Sequence, residues 1–386
     1  MASHPPTAAS VWLQRVAIMG FVAILPIPGL WAILGSHSEI LEPEGRPAAA
    51  APRIPRSLPE WKRYPSQFEA FFNDHLGGRT QLIHWRNRLN RDWFGTSPTD
   101  RVQMGRDGWL YLHEPTVFDA PTNLPVSELP NQLTRWASPI REQATALQAR
   151  RTPFLLVVAP EKQSIHPEFR PRRFQESVPF ATVRSTFAQQ SQDPSITWVD
   201  VVSPLLEAVK SGAEPVYFRT DTHWNSVGGA IACRELIAAM QQQCQQPVAA
   251  MLPRSQLVER DDFYPNPDLA RMIGRPAPEA FRFLAARPDE LPFARATEWD
   301  SHPFRLPHLV ARRYACGPTT GPRVLLFHDS FGMELLKYLP LHCRELVSVP
   351  ARLPISEICE AVQPDLVIFE MVERNLLSIP PELPAR

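Results

Sequence analysis

No long block of basic residues occurs in this 386-residue chain, and its 40 Lys and Arg are matched by 40 Asp and Glu. A nucleic-acid partner, which needs a positive footprint, is not expected. Cysteine is scarce as well. The five present, Cys233, Cys244, Cys316, Cys343 and Cys359, have no close paired spacing. That excludes a small disulfide scaffold, and an odd number cannot all pair within the chain. Cys233 and Cys359 sit in apolar helical patterns and read as small core residues. No internal repeat is evident, and nothing resembles a metal site.

Proline, in contrast, is abundant. The 43 prolines, about twice the usual share, crowd the first sixty residues and the stretch from Pro253 to Pro322. Irregular backbone is expected in both places. Within the first of these stretches lies a run of nineteen residues without a charge, Val16 to Leu34. It has about the minimum length for a spanning helix, and Pro26 and Pro28 are tolerated better in a membrane than in water. Arg15 precedes the run and Glu39, Glu42 and Glu44 follow it, which orients the N-terminus to the cytoplasm and the bulk outward. We expect an uncleaved anchor over residues 1–35. A cleaved signal peptide, with Ala48-Ala49-Ala50 available to a peptidase, is the alternative. Residues 36–60 read as a Pro- and Ala-rich linker.

From Trp61 the texture changes. Phe68, Phe71, Phe72 and Leu76, then Leu82, Trp85 and Leu89, recur at helical spacing around Gly77-Gly78, which predicts a helical extension of two helices. Val102 to Leu112 predicts a hairpin turning at Asp107-Gly108, with Trp109 and Tyr111 as core. Helices are then expected over Leu133–Arg150, Phe180–Gln190, Leu205–Lys210 and Val227–Met240. Apolar strands are expected at Phe154–Ala159 and Ile196–Val201. After an interruption over about 241–322, the alternation resumes with strands Val324–Phe327, Leu346–Val349 and Leu366–Phe369 around helices Met333–Leu339 and Ile355–Val362. Continuous apolar strands separated by helices predict an α/β domain over 61–386, its parallel sheet flanked by helices, with a long insertion.

Two short segments carry the chemistry. Asp221 and His223 stand one residue apart before a helix, and in extended backbone that spacing puts both side chains on one face. The carboxylate would then hold one imidazole nitrogen and leave the other for a nucleophile. Ser330 lies where the strand Val324–Phe327 gives way to a helix. Ligands of open α/β sheets gather beyond the carboxyl ends of strands. The amides of Ser330, Phe331 and Gly332 are candidate oxyanion donors there. The frame is not a G-x-S-x-G elbow, because His328 takes the place of its first glycine. Taken singly, each segment also has a bland reading: Ser330 as a helix cap, Asp221 as a turn cap with His223 packed on Trp224.

Taken together, the segments resemble the AlgX/AlgJ-type SGNH hydrolase-like proteins. The resemblance runs from about Trp61 to Arg374. It rests on Phe72-Asn73-Asp74-His75 with Gly78-Arg79, Gly105-Arg106-Asp107-Gly108-Trp109-Leu110, Ala159-Pro160-Glu161-Lys162, Asp221-Thr222-His223-Trp224-Asn225, Asp329-Ser330-Phe331 and Glu373-Arg374. It implies an SGNH-hydrolase-like fold and a polysaccharide O-acetyltransferase of the periplasm, acting on an exopolysaccharide such as alginate. Asp221 would orient, His223 act as general base and Ser330 as nucleophile, with no cofactor and no metal. An integral-membrane O-acyltransferase would supply the acetyl group. Many relatives have glycine where this chain has His328, so that imidazole either points away from the site or alters its entrance. Lys162 and Arg374 follow strands and are further candidates, Arg374 either for an acidic sugar or as a partner of Glu373. An exported acetylesterase, or an idle polysaccharide-binding scaffold, is the alternative function.

Overall fold

The computed structural model describes residues 8–24, 40–41, 46–47, 49–75, 79–113, 126–173, 178–212, 214–275, 277–286, 296–299, 310–315 and 317–380. Two compact units divide the chain, Met1–Pro98 and Thr99–Arg386. The expected helical extension belongs to the first unit, so the α/β unit itself begins at Thr99.

The N-terminal unit is mainly helical, with one short antiparallel pair, Ile40–Leu41 against Arg46–Pro47. Its first helix runs from Ala8 to Ile24, eight residues ahead of the expected span, and exposes Trp12, Ile18 and Phe21. Among the described residues no helix is long and apolar enough to cross a membrane. Residues 25–34 of the expected anchor lie outside the described residues. Leu58–Asp74 and Arg79–Asp92 form the two helices read from the sequence, and the glycine turn between them is likewise outside the described residues. On the former, Trp61, Tyr64, Phe68 and Phe72 follow one another along one side, with ring centroids 6.0 to 6.3 Å apart.

In the second unit the strands are β1 Val102–Met104, β2 Leu110–Leu112, β3 Phe154–Ala159, β4 Ile196–Val199, β5 Val258–Tyr264, β6 Glu279–Ala285, β7 Thr297–Glu298, β8 Arg312–Tyr314, β9 Arg323–His328, β10 Glu345–Pro350 and β11 Leu366–Val372. Seven of them make one sheet in the order β4-β3-β11-β9-β10-β8-β7. The first five are parallel. At the far edge β8 pairs antiparallel with β10 and with β7, so the sheet is mixed where a purely parallel one was expected. Both of these edge strands come from the 241–322 stretch. They are two and three residues long, and β8 (Arg312-Arg313-Tyr314) has no apolar run to mark it.

The four inner parallel strands are buried on both faces, as continuous apolar runs require, while the edge strand β4 is half-buried at Thr197 and Trp198. Leu155 and Val157 of β3, with Val324 and Leu326 of β9, face a core built on the helices Val202–Lys210 and Ser226–Gln243. Leu156 and Val158, with Leu325 and Phe327, face the opposite core under Leu129–Ala149, Phe180–Gln190 and Ser356–Val362. β1 and β2 form the predicted hairpin, and Asp107 and Gly108 take the left-handed φ of 54° and 80° that its turn demands. Trp109 and Tyr111 are buried, and Trp109 stacks on Phe169 with centroids 4.6 Å apart. A further hairpin, β5–β6, fills part of the insertion.

Candidate active site

The site sits past the carboxyl ends of β3, β9 and β11. Ser330 follows β9 and is exposed. Its turn is pinned by Asp329. One oxygen of that carboxylate accepts the Phe331 amide at 2.9 Å, and the other accepts Val372 N–H and Asn375 Nδ2, each at 2.7 Å. The β9 and β11 ends are thereby tied together directly beneath the serine. Beneath Asp329 lies Glu370, fully buried, one oxygen accepting the Asp329 amide at 3.3 Å. Burial and the Asp329 charge push its carboxyl well above the ordinary range.

Asp221 and His223 lie on the segment between Tyr217 and Trp224, which bridge each other. The backbone of this segment belongs to no sheet, so its polar groups need other partners. Lys162 supplies one set: the residue is 1 % exposed, and its ammonium donates to the carbonyls of Phe218 and Arg219 at 3.0 Å each and of Asp221 at 2.7 Å. The insertion supplies the other. Glu279 accepts the amides of Arg219 at 2.6 Å and Thr220 at 2.8 Å, and Asp268 accepts the amide and hydroxyl of Thr222 at 2.8 and 2.6 Å. The rings of Trp109 and Tyr111 lie 5.6 and 5.4 Å from the ammonium.

So braced, the segment meets the serine turn. His223 Nδ1 donates to Asp221 Oδ1 at 2.6 Å, and His223 Nε2 lies 2.8 Å from Ser330 Oγ. Since the carboxylate can only accept, Nδ1 carries the proton and Nε2 is free to take the serine's. The imidazole rests against Phe331, centroids 4.9 Å apart, rather than on Trp224, whose indole N–H donates to the Phe331 carbonyl at 3.1 Å. Burial opposes the Asp221 charge, yet the His223 hydrogen bond and charge, with the Asp268 and His223 amides, hold its carboxyl down to about 2. Burial likewise opposes an imidazolium at His223, but the hydrogen bond and charge of Asp221, with Asp268, raise its proton affinity above the ordinary value.

The remaining sequence candidates fall differently. The Phe331 amide is spent on Asp329 Oδ1 and the Gly332 amide on the Asp329 carbonyl at 3.2 Å. Of the three proposed oxyanion donors, the Ser330 amide is the one not so engaged. The helix that follows, Gly332–Leu335, is a single turn. Lys162 does not face the mouth: it is buried against the three carbonyls, and burial lowers its ammonium to about 8 despite the surrounding carboxylates. Arg374 pairs with Glu161 at 2.6 Å rather than with Glu373, and lies 5.2 Å over the Phe331 ring. Glu373 is claimed instead by Arg184, the Glu161 amide and Ser164, and burial raises it to about 7. His328 turns inward. It is buried, with Nε2 2.7 Å from Ser348 Oγ and Nδ1 2.6 Å from the Asp329 carbonyl, so the entrance is not altered by it.

Asp268 was not legible beforehand. Its donor atoms lie with those of Asp221 and His223 within 4.8 Å of one another, a grouping that also invites a cation. The hydrogen bonds speak otherwise. Asp221 is taken by His223 and the Asp268 amide, Asp268 by Thr222, and the one open imidazole nitrogen by Ser330.

The family described as SGNH hydrolase-like domain, acetyltransferase AlgX, matches residues 102–302, a span that holds Asp221 and His223. A probable alginate O-acetylase AlgJ of Pseudomonas syringae pv. tomato is 29% identical over 190 residues, 49% of this chain and 45% of that protein. The AlgJ of Pseudomonas aeruginosa is 28% identical over 141 residues, 36% of this chain and 33% of that one. The chain thus matches less than half the length of these relatives. Among solved structures, PatB1 of Bacillus cereus superposes over 72% of this chain and 97% of its own with a TM-score of 0.54 at 13% identity, and so shares the fold.

Proposed function

The chain belongs to the AlgX family of SGNH hydrolase-like acetyltransferase domains, and from that premise we propose that it is a serine-dependent O-acetyltransferase acting on a hydroxyl of an exported polysaccharide. One observation carries the proposal: the unbroken line from Asp221 through His223 to an exposed Ser330, at 2.6 and 2.8 Å. A serine hydroxyl becomes nucleophilic only when a base removes its proton, and the base needs a fixed tautomer.

In the first step Ser330 Oγ attacks the acetyl carbonyl as its proton passes to His223 Nε2. The resulting imidazolium is balanced by Asp221, and the oxyanion lies toward the Ser330 amide. Collapse expels the donor's leaving group, which takes the proton from His223, and acetyl-serine remains. A sugar hydroxyl then gives its proton to the same nitrogen and attacks the acetyl carbon. Ser330 leaves and recovers the proton. An integral-membrane O-acyltransferase is the donor we assign to the first step, with the catalytic unit in the periplasm and the apolar N-terminal run as its tether. Alginate and other acetylated exopolysaccharides are the acceptor class.

The exposure of Ser330 favours one second reading, an acetylesterase, because water reaches the acetyl-serine unless the acceptor displaces it. Intact mass spectrometry separates these. The full chain is incubated with p-nitrophenyl acetate, and a single acetyl adduct is expected on Ser330, absent from Ser330→Ala and His223→Ala. Addition of oligosaccharides should move the acetyl group to sugar faster than to water if the protein is a transferase. No adduct and no turnover with any ester would sink the enzyme reading.

A further inference from the structure

The steps above use three side chains, yet a fourth charge is built into the same hydrogen-bond network. Asp268 lies 47 residues beyond Asp221, at the start of a short helix between β5 and β6. Its backbone N–H donates to Asp221 Oδ2 at 2.7 Å. Its carboxylate takes both donors of Thr222, the residue between the acid and the base. With Oδ2 held by Asp268, the Asp221 carboxylate has one orientation left, in which Oδ1 meets both the amide and Nδ1 of His223. Two carboxylates this close repel, and burial together with the Asp221 charge pushes the Asp268 carboxyl up. An asparagine there would avoid that penalty but would offer Thr222 one acceptor oxygen where the carboxylate supplies two.

We propose that Asp268 is a positioning residue of the triad, one that locks the Asp221 side chain toward His223 and adds its own charge to the field on the imidazole. The inference rests on Ser330 and His223 acting as nucleophile and base. Around His223 the charged groups are Asp221 and Asp268, opposed by Arg374. Asp268 faces Asp221 and His223, with Lys162 and Tyr264 in its field and Arg271 on its own helix.

The test is the titration of His223 in the full chain, followed by ring ¹³C and ¹⁵N resonances, alongside the pH profile of p-nitrophenyl acetate hydrolysis. Asp268→Asn keeps an oxygen for Thr222 and its own amide for Asp221. It should lower the His223 midpoint by about half a unit to one unit and carry the acid limb of kcat/KM down by the same amount, with KM unchanged. Asp268→Ala, which also frees Thr222, should lose about tenfold or more in kcat. Asp261→Asn, on the same hairpin and paired with Arg282 at the surface, should leave the midpoint in place. In the wild type, the Asp268 carboxyl resonance should titrate above the ordinary aspartate value, a reading that needs no variant. An unmoved His223 midpoint in Asp268→Asn, or an ordinary Asp268 titration, overturns the proposal. A shifted midpoint in a protein that turns over no ester would instead remove the acetyl-transfer reading while leaving the field of Asp268 established.

Discussion

His223 works between two unlike neighbours, a buried carboxylate on one nitrogen and an exposed hydroxyl on the other. Its proton affinity is raised, so the free base that Ser330 requires accumulates only above the ordinary histidine midpoint near 6.5. Ester hydrolysis should therefore rise with pH through a midpoint above 6.5. In Asp221→Asn the imidazolium loses its partner and the tautomer is no longer imposed. The midpoint should fall, and kcat should drop by about 10⁴-fold at the pH optimum, measured from the same kinetic profiles. A kcat within tenfold of wild type would mean that Asp221 does not serve the imidazole.

At the scale of elements, the end of β9 and the turn after it are fitted to each other. A Cβ at Gly332 would stand 2.5 Å from His328 Cβ and Cγ, so the inward imidazole and the glycine belong together. Gly332→Ala should cost about 1–3 kcal/mol in urea unfolding and displace Ser330. Adding His328→Gly removes the obstructing atoms. The double variant should then be more stable than the sum of the two losses by at least about 1 kcal/mol, whereas additive losses would show that the two residues are not coupled. Elements of this kind divide sharply in how far the sequence reveals them. The central parallel strands were legible because burial on both faces leaves apolar runs such as Phe154–Ala159 and Leu366–Phe369. β7 and β8 were not, because a short edge strand with one wet side needs no such run. Asp221, His223 and Ser330 could be picked out by type and spacing. Asp268 and Glu279 could not: they lie among prolines, and their partners are backbone amides, which leave no trace in sequence. Lys162 misled for the opposite reason. A lysine after a strand is expected in solvent, and only the loop's three stranded carbonyls explain its burial.

At the scale of the whole chain, every group among the described residues in the hydrogen-bonded network around Ser330 comes from the unit Thr99–Arg386. That unit expressed alone should unfold cooperatively, with a Tm within a few degrees of the full chain, and should keep its ester hydrolysis. Loss of cooperativity or of turnover in the fragment would show that residues before Thr99 complete the fold. The same economy of parts has a bearing on chemical self-protection. On the proposed function the protein would hold an activated acetyl group and must not acylate itself, and Lys162, whose ammonium burial lowers to about 8, would be readily acylated if it were reachable. Lysine occurs only four times here, at 62, 162, 210 and 337, against a wealth of arginine, which acetyl donors leave untouched. The one lysine nearest the triad has all its hydrogens committed and almost no surface. For the acetyl transfer proposed above, its seclusion would leave the exposed Ser330 as the nucleophile that a passing acyl group meets first.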